Sequence, residues 1–199
     1  MKEALTIIRR LLDGEKLDFE GEFYNTKGAK LYSPPVNSVP IWLAAGGPKS
    51  SMLAAEYADG LMISVKNPED AYERVINPAK TRTDELEKSK LRVHTYRWTM
   101  FADNDEDAWE SLKSWRGLRA PNRLQEIDPQ ALREQADSLP KDEIMSKFSR
   151  AGTVDELLDI YSPLVNEFGS EIVTIQISSV NQEETIKLLG DELLPKLKK

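Results

Sequence analysis

The chain has 199 residues and carries 27 Lys and Arg against 34 Asp and Glu, a formal net charge of -7. That length suits one domain with a real core, and the acidic balance speaks against a general nucleic-acid binder. Without cysteine there can be no disulfide, thiolate nucleophile or Cys-based zinc site, so no metal centre is expected; the single histidine, His94, has no nucleophile elbow near it.

Ala4, Leu5, Ile7, Ile8, Leu11 and Leu12 predict an amphipathic opening helix that Asp13-Gly14 stops. It lacks the apolar core and cleavage site of a signal peptide, and no run approaches the roughly 20 apolar residues that span a membrane, so a cytoplasmic location is expected. A helix with no strand before it looks like the second half of a βα unit. Phe19–Leu31 alternates weakly around Gly21 and Gly28 and reads as a hairpin, ended by Ser33-Pro34-Pro35.

Val39–Ser64 reads as strand, glycine turn, helix and strand, which is a parallel βαβ crossover. The first strand spans 39–45, the helix follows Pro48, and the second strand runs from Gly60 to Val65, with Gly60 expected at positive φ. Ligands in parallel α/β folds bind at the carboxyl ends of strands, which puts Gly46 and Gly47 where a ligand would lie. The alternative is a tight turn that needs glycine for its dihedrals.

Pro68–Lys90 reads as helical and strongly charged. Leu91–Phe101 alternates as a strand, with Val93, Thr95, Arg97, Thr99 and Phe101 on one face and His94, Tyr96, Trp98 and Met100 on the other. Trp98 and Tyr96 are expected in the core, and His94 is expected to be a strand residue rather than an acid or base. Asp105–Trp115 is a predicted helix, Gly117–Leu139 a less regular insertion, and Lys147 is expected on a helix. Thr153 and Glu156 form a capping-box signature for a helix that Gly169 closes. Ile172–Ile177 is a strand, and Asn181 is expected to cap the last helix.

Four parallel strands, each followed by a helix, form either a small open sheet or half of a closed (β/α)8 TIM barrel. The expected fold is therefore α/β, one domain over 1–199, in four parallel βα units. Open strand edges and an apolar concave face need cover, which predicts a homo-oligomer or a separate chain carrying the other half.

The run EALTIIRRLLDGEKLDFEGEFYNTKGAKLYSPP, the later VPIWLAAGGP and AAEYADGLMIS, the segment ADSLPKDEIMSKF and the ending LLGDELLPKLKK resemble the luciferase-like flavin and deazaflavin oxidoreductases. The likeness is nearest to the coenzyme F-420-dependent, glucose-6-phosphate dehydrogenase-like branch and falls on the C-terminal half of those TIM barrels. It implies hydride transfer between a deazaflavin (alternatively FMN) and a small, sugar-phosphate-like substrate. Ala44, Ala45, Gly46, Gly47 and Pro48 match the turn that packs against the cofactor. Ser64, Lys66 and Asn67 fall where relatives hold the substrate phosphate, with Asn67 at the lysine position and Lys66 one residue away. Arg123 and Lys147 match two further phosphate-binding cations. The family's catalytic His, Trp and acid belong to the N-terminal half, so no catalytic residue is assigned. A non-catalytic flavin- or deazaflavin-binding or assembly module, dimerising through its open half barrel, is the alternative.

Overall fold

The computed structural model describes residues Met1–Leu197. The chain divides into two compact units, Met1–Ile63 with Glu69–His94, and Ser64–Pro68 with the chain from Thr95 on. Helices follow strands and the strands of the βα units pair in parallel, the predicted α/β architecture.

The first unit opens with α1 (Lys2–Leu12), which buries Leu5 and Ile7. Ile8 stays exposed. The predicted hairpin is β1 (Leu17–Glu20) and β2 (Asn25–Ala29), paired antiparallel. The Glu3 carboxylate of α1 fastens its turn by accepting from the N–H groups of Glu22, Phe23 and Tyr24 at 2.9, 3.0 and 3.0 Å. The Phe23 bond, then those from Tyr24 and Glu22, hold the Glu3 carboxyl below the usual range.

The crossover is β3 (Trp42–Ala44), α2 (Pro48–Tyr57) and β4 (Gly60–Ser64). Trp42 lies opposite Gly60, Leu43 opposite Leu61 and Ala44 opposite Met62 in a parallel ladder. β3 is shorter than the predicted 39–45, since Pro40 cannot donate to a ladder. Gly60 is not among the positive-φ residues, contrary to expectation. It is glycine because the Trp42 indole lies where a Cβ would be. Asp59 accepts from the Ile41 N–H at 2.7 Å and pairs with Arg9 of α1.

The predicted helical stretch is unbroken over 68–85: α3 (Pro68–Ala71) runs through a π turn at Tyr72–Ile76 into α4 (Asn77–Glu85). Pro78 has no N–H to give to the carbonyl four residues back, so the ladder changes step just before it.

β5 (Arg92–Phe101) alternates as predicted as far as Thr99, with Val93, Thr95, Arg97 and Thr99 buried and His94, Tyr96 and Trp98 half-buried; against the pattern Met100 is buried and Phe101 half-buried, and Tyr96 is not the core residue expected. In the second unit α5 (Asp105–Ser111) is shorter than predicted and is followed by a 3-10 turn at Arg116–Arg119. The insertion holds an unexpected helix, α6 (Pro129–Asp137). Pro129 starts it instead of breaking it, because the Asp128 carboxylate caps the turn by accepting from the Gln130 N–H at 2.8 Å. α7 (Lys141–Met145) ends before Lys147, which therefore lies beyond the helix on which it was expected.

A strand that the pattern did not announce, β6 (Ser149–Ala151), runs parallel to β5 with Thr99 opposite Ser149 and Phe101 opposite Ala151. Three residues are too few for alternation to register. α8 (Val154–Asn166) begins with the predicted capping box: Thr153 Oγ1 accepts from the Glu156 N–H and the Glu156 carboxylate from the Thr153 N–H, both at 3.2 Å. β7 (Ile172–Ser178) pairs with β5. α9 (Gln182–Leu188) leads through a π turn to α10 (Leu194–Leu197). Asn181 stands at the cap position of α9 without a side-chain bond. Beside it Ser179 Oγ accepts from the Asn181 N–H at 3.2 Å and the Thr185 hydroxyl at 2.9 Å, tying the start of the helix to the end of β7.

Met100, Leu112, Ala136, Ile144 and Phe148 pack into one core against α5, α6 and α7. Leu157, Tyr161 and Leu164 of α8 are also buried. The Tyr161 hydroxyl donates to Arg97 O at 3.0 Å and lies 2.9 Å from Thr99 Oγ1. Burial pushes its pKa up to about 12.

Candidate functional site

The site in the second unit follows from how β5 shares one edge. Alternate residues of a strand direct their N–H and C=O groups to opposite edges. Tyr96 O accepts from the Val65 N–H at 2.8 Å, and the Ala102 N–H donates to Ala151 O at 2.9 Å. Both β5-side residues are even-numbered, so the segment after β4 and then β6 use the same edge in succession. Between the point where Val65 leaves and the point where Ser149 arrives, the edge opens into a cavity of about 310 Å³.

Ser64, Lys66 and Asn67 line the cavity from the segment that leaves β5, Arg123 from the insertion, and Lys147 from the turn between α7 and β6. These are the five predicted substrate residues, brought together from three separate stretches of chain. Trp98, Arg119, Phe148 and Ser149 complete much of the wall and were not assigned to the site from sequence. Trp98 belongs to both places: it packs on the core and faces the cavity, edge-on to Trp115 at 4.8 Å and to Phe148 at 5.6 Å. Arg119 had one signal in the sequence, the basic spacing of RGLRAPNR. Its neighbour Arg116 is spent structurally, paired with Asp137 and lying 4.6 Å over Trp109.

Among the described residues no carboxylate lines this cavity. Of its cations, Lys147 is paired with Glu143 at 3.1 Å, an exposed pair of little energetic weight. The Arg119 charge first, then burial, then Arg123, hold the Lys66 ammonium below the usual lysine range. Burial and the neighbouring Arg123 lower Arg119 in the same way. Cations that depress one another have charge that an anion would relieve. Arg97, on the buried face of β5, donates through Nε to Ser149 Oγ at 3.1 Å and braces the wall from behind.

The predicted cofactor turn belongs to the first unit. The Ala45 N–H donates to Met62 O at 2.9 Å, fixing the end of β3. Ala44, Gly46 and Pro48 are exposed, Gly47 is half-buried and Ala45 is buried. Gly47 is extended, at φ -171°, and neither Gly46 nor Gly47 has positive φ, so dihedrals do not require the pair. A Cβ on either would meet nothing within 4 Å. Open space over bare backbone at a strand's carboxyl end, with Pro48 starting α2, is what a planar ligand needs for close approach. Ala44 to Pro48 thus fit a cofactor-contacting turn on their geometry.

His94 packs edge-on against Trp42 at 5.9 Å, and burial lowers its pKa. A hollow of about 500 Å³ in the first unit, lined by Asp59, Lys88 and Arg92, lies at the amino ends of strands, where parallel α/β folds do not place ligands. Lys88 is already bound there, donating to Ala55 O at 3.0 Å and to Glu56 O. Among the described residues no helix is long and apolar enough to cross a membrane.

The chain is 29% identical to an F420-dependent glucose-6-phosphate dehydrogenase of Microbacterium testaceum, over the whole of this chain and 60% of that protein. It is also 29% identical to a 5,10-methylenetetrahydromethanopterin reductase of Archaeoglobus fulgidus, again over its whole length and 66% of the relative. The chain therefore spans about 60% of the length of such relatives. Among solved structures, an F420-dependent secondary alcohol dehydrogenase in complex with an F420-acetone adduct superposes with a TM-score of 0.81 at 24% identity, covering 99% of this chain and 61% of that one. The coenzyme F420-dependent tetrahydromethanopterin reductase of Methanopyrus kandleri gives 0.76 at 21%, covering 99% and 62%. These structures share the fold, part of a luciferase-like TIM barrel. The luciferase-like monooxygenase family model matches residues 1–166. With the barrel's parallel βα units present and most of its length matched, the chain belongs to the luciferase-like monooxygenase family.

Proposed function

We propose that this chain is the C-terminal half of a coenzyme F-420-dependent oxidoreductase, one α/β domain over residues 1–199, acting on a small phosphorylated substrate. The observation that carries the reading is the meeting of Lys66, Arg119, Arg123 and Lys147 at one cavity without a lining carboxylate. The F420 dependence of the similar glucose-6-phosphate dehydrogenase supports the cofactor. FMN is the alternative.

A bound deazaflavin supplies a carbon that accepts or gives a hydride. The residues of this chain bind and orient. Ala44, Ala45, Gly46, Gly47 and Pro48 let the cofactor lie against backbone. Ser64 and Asn67 offer hydrogen bonds to a phosphoryl group, while Lys66, Arg123 and Lys147 supply its countercharge. Fixing the remote anion spends binding energy on orientation of the reacting carbon. The acid or base comes from the N-terminal half of the barrel, and the working form is an assembly with the open edges of this half covered.

The test is a fluorescence titration of the purified chain with coenzyme F-420 and, separately, with FMN, alongside light scattering. Micromolar binding of coenzyme F-420 on a defined oligomer supports the reading. Binding of neither defeats the cofactor assignment. Reduction of coenzyme F-420 with a sugar phosphate by a monomer alone defeats the need for another half.

A further inference from the structure

Arg119 is the residue of the cavity that the resemblance did not assign, and its surroundings set it apart. Its Nε is buried and has no hydrogen-bond partner among the described residues. Its guanidinium lies over the Phe148 ring, 4.8 Å from the centroid, and Phe148 is in turn held by Trp98. A cation seated on an aromatic face is fixed in place without using its N–H donors. Burying such a donor unpaired is costly, and an acceptor that entered the cavity would remove that cost. The cavity already holds Lys66 and Arg123, neither with an acidic partner among the described residues. A monoanion would leave most of this charge uncompensated. A phosphate monoester, largely dianionic at neutral pH, offers a second charge and three acceptor oxygens.

We propose that Arg119 is the specificity-determining residue of this cavity, a preset guanidinium that makes it select a dianionic phosphate monoester over a monoanionic group of the same shape. The inference rests on the anion-binding reading above and deepens it. Lys66, Arg123 and Lys147 attract any anion; Arg119 discriminates by charge and by the stronger acceptor oxygens that a dianion carries.

The experiment is a calorimetric titration of the chain at neutral pH with glucose 6-phosphate and with glucose 6-sulfate, which share the sugar and differ in charge. The unmodified chain is expected to bind the phosphate ester about tenfold or more tightly than the sulfate ester. Arg119→Gln is expected to lose about tenfold for the phosphate ester and little for the sulfate ester, so that the preference collapses. Arg119→Lys, which keeps the charge but not the fork, should hold an intermediate preference. Equal loss for both esters in Arg119→Gln, or an unmodified chain with no preference, overturns the role of Arg119 and leaves the anion cavity standing. Binding of neither ester by the unmodified chain overturns the cavity reading itself, and Arg119 with it.

Discussion

The turn at Ala44–Pro48 and the cavity around Lys66 are built in opposite ways. The turn is contiguous: a strand end, two glycines and a helix-starting proline follow one another, and the Ala45 N–H donating to Met62 O fixes the strand end. The cavity is assembled: its walls come from the exit of β4, the middle of β5, the insertion and the entry to β6. A contiguous site tolerates change elsewhere in its unit. An assembled one depends on every contact that holds its pieces together.

The largest expected effect breaks the assembled region. Phe148 is buried in the core, faces the cavity and carries Arg119 on its ring. Phe148→Ala should cost about 3–5 kcal/mol of stability by chemical denaturation and also abolish discrimination between the two sugar esters. Stability loss with discrimination intact would show that Arg119 does not need its aromatic seat.

Next comes pH. Tyr161 has its pKa raised to about 12, through burial first, against an unfolded value near 10. Below the unfolded value both states keep the phenol proton and the stabilising contribution is whole. As pH climbs through the folded value that contribution is lost, about 2–3 kcal/mol between about pH 10 and 12. Stability to denaturant across this window should fall more steeply for the unmodified chain than for Tyr161→Phe. The variant should also be weaker at neutral pH by about 1 kcal/mol, having lost its bond to Arg97 O.

Two glycines of the first unit sharpen the contrast further. Gly60→Ala drives a Cβ into the Trp42 indole and should cost about 1–3 kcal/mol. Gly47→Ala meets open space at an extended φ and should change stability by less than about 0.5 kcal/mol. If Gly47 serves the cofactor, the same variant should weaken coenzyme F-420 binding in the fluorescence titration. Unchanged binding would make the turn a bystander.

Much of the frame was legible because it rests on local rules. The capping box at Thr153 and Glu156, the closing Gly169 and the alternation of Arg92–Phe101 each depend on residues within a few positions of one another. The helix at Pro129–Asp137 is hidden in a stretch that reads as irregular, although Asp128 before Pro129 makes a helix start. Asn181 misled in the opposite sense: the right residue type stands at the cap position, but its side chain makes no capping bond.

The sequence by itself determined which short segments become helix, turn and strand, since propensity, capping and periodicity act over one or two turns of chain. It also marked which cations to watch, through the resemblance. Only the tertiary structure decided that Ser64, Lys66, Asn67, Arg123 and Lys147 share a cavity, that Arg119 joins them, and that β6 takes over the edge of β5 which Val65 leaves. The reason is physical. A strand edge offers hydrogen bonds to any segment that can reach it, and which segment arrives, at what register, is settled by packing between residues 50 or more apart, as Arg97 and Ser149 are.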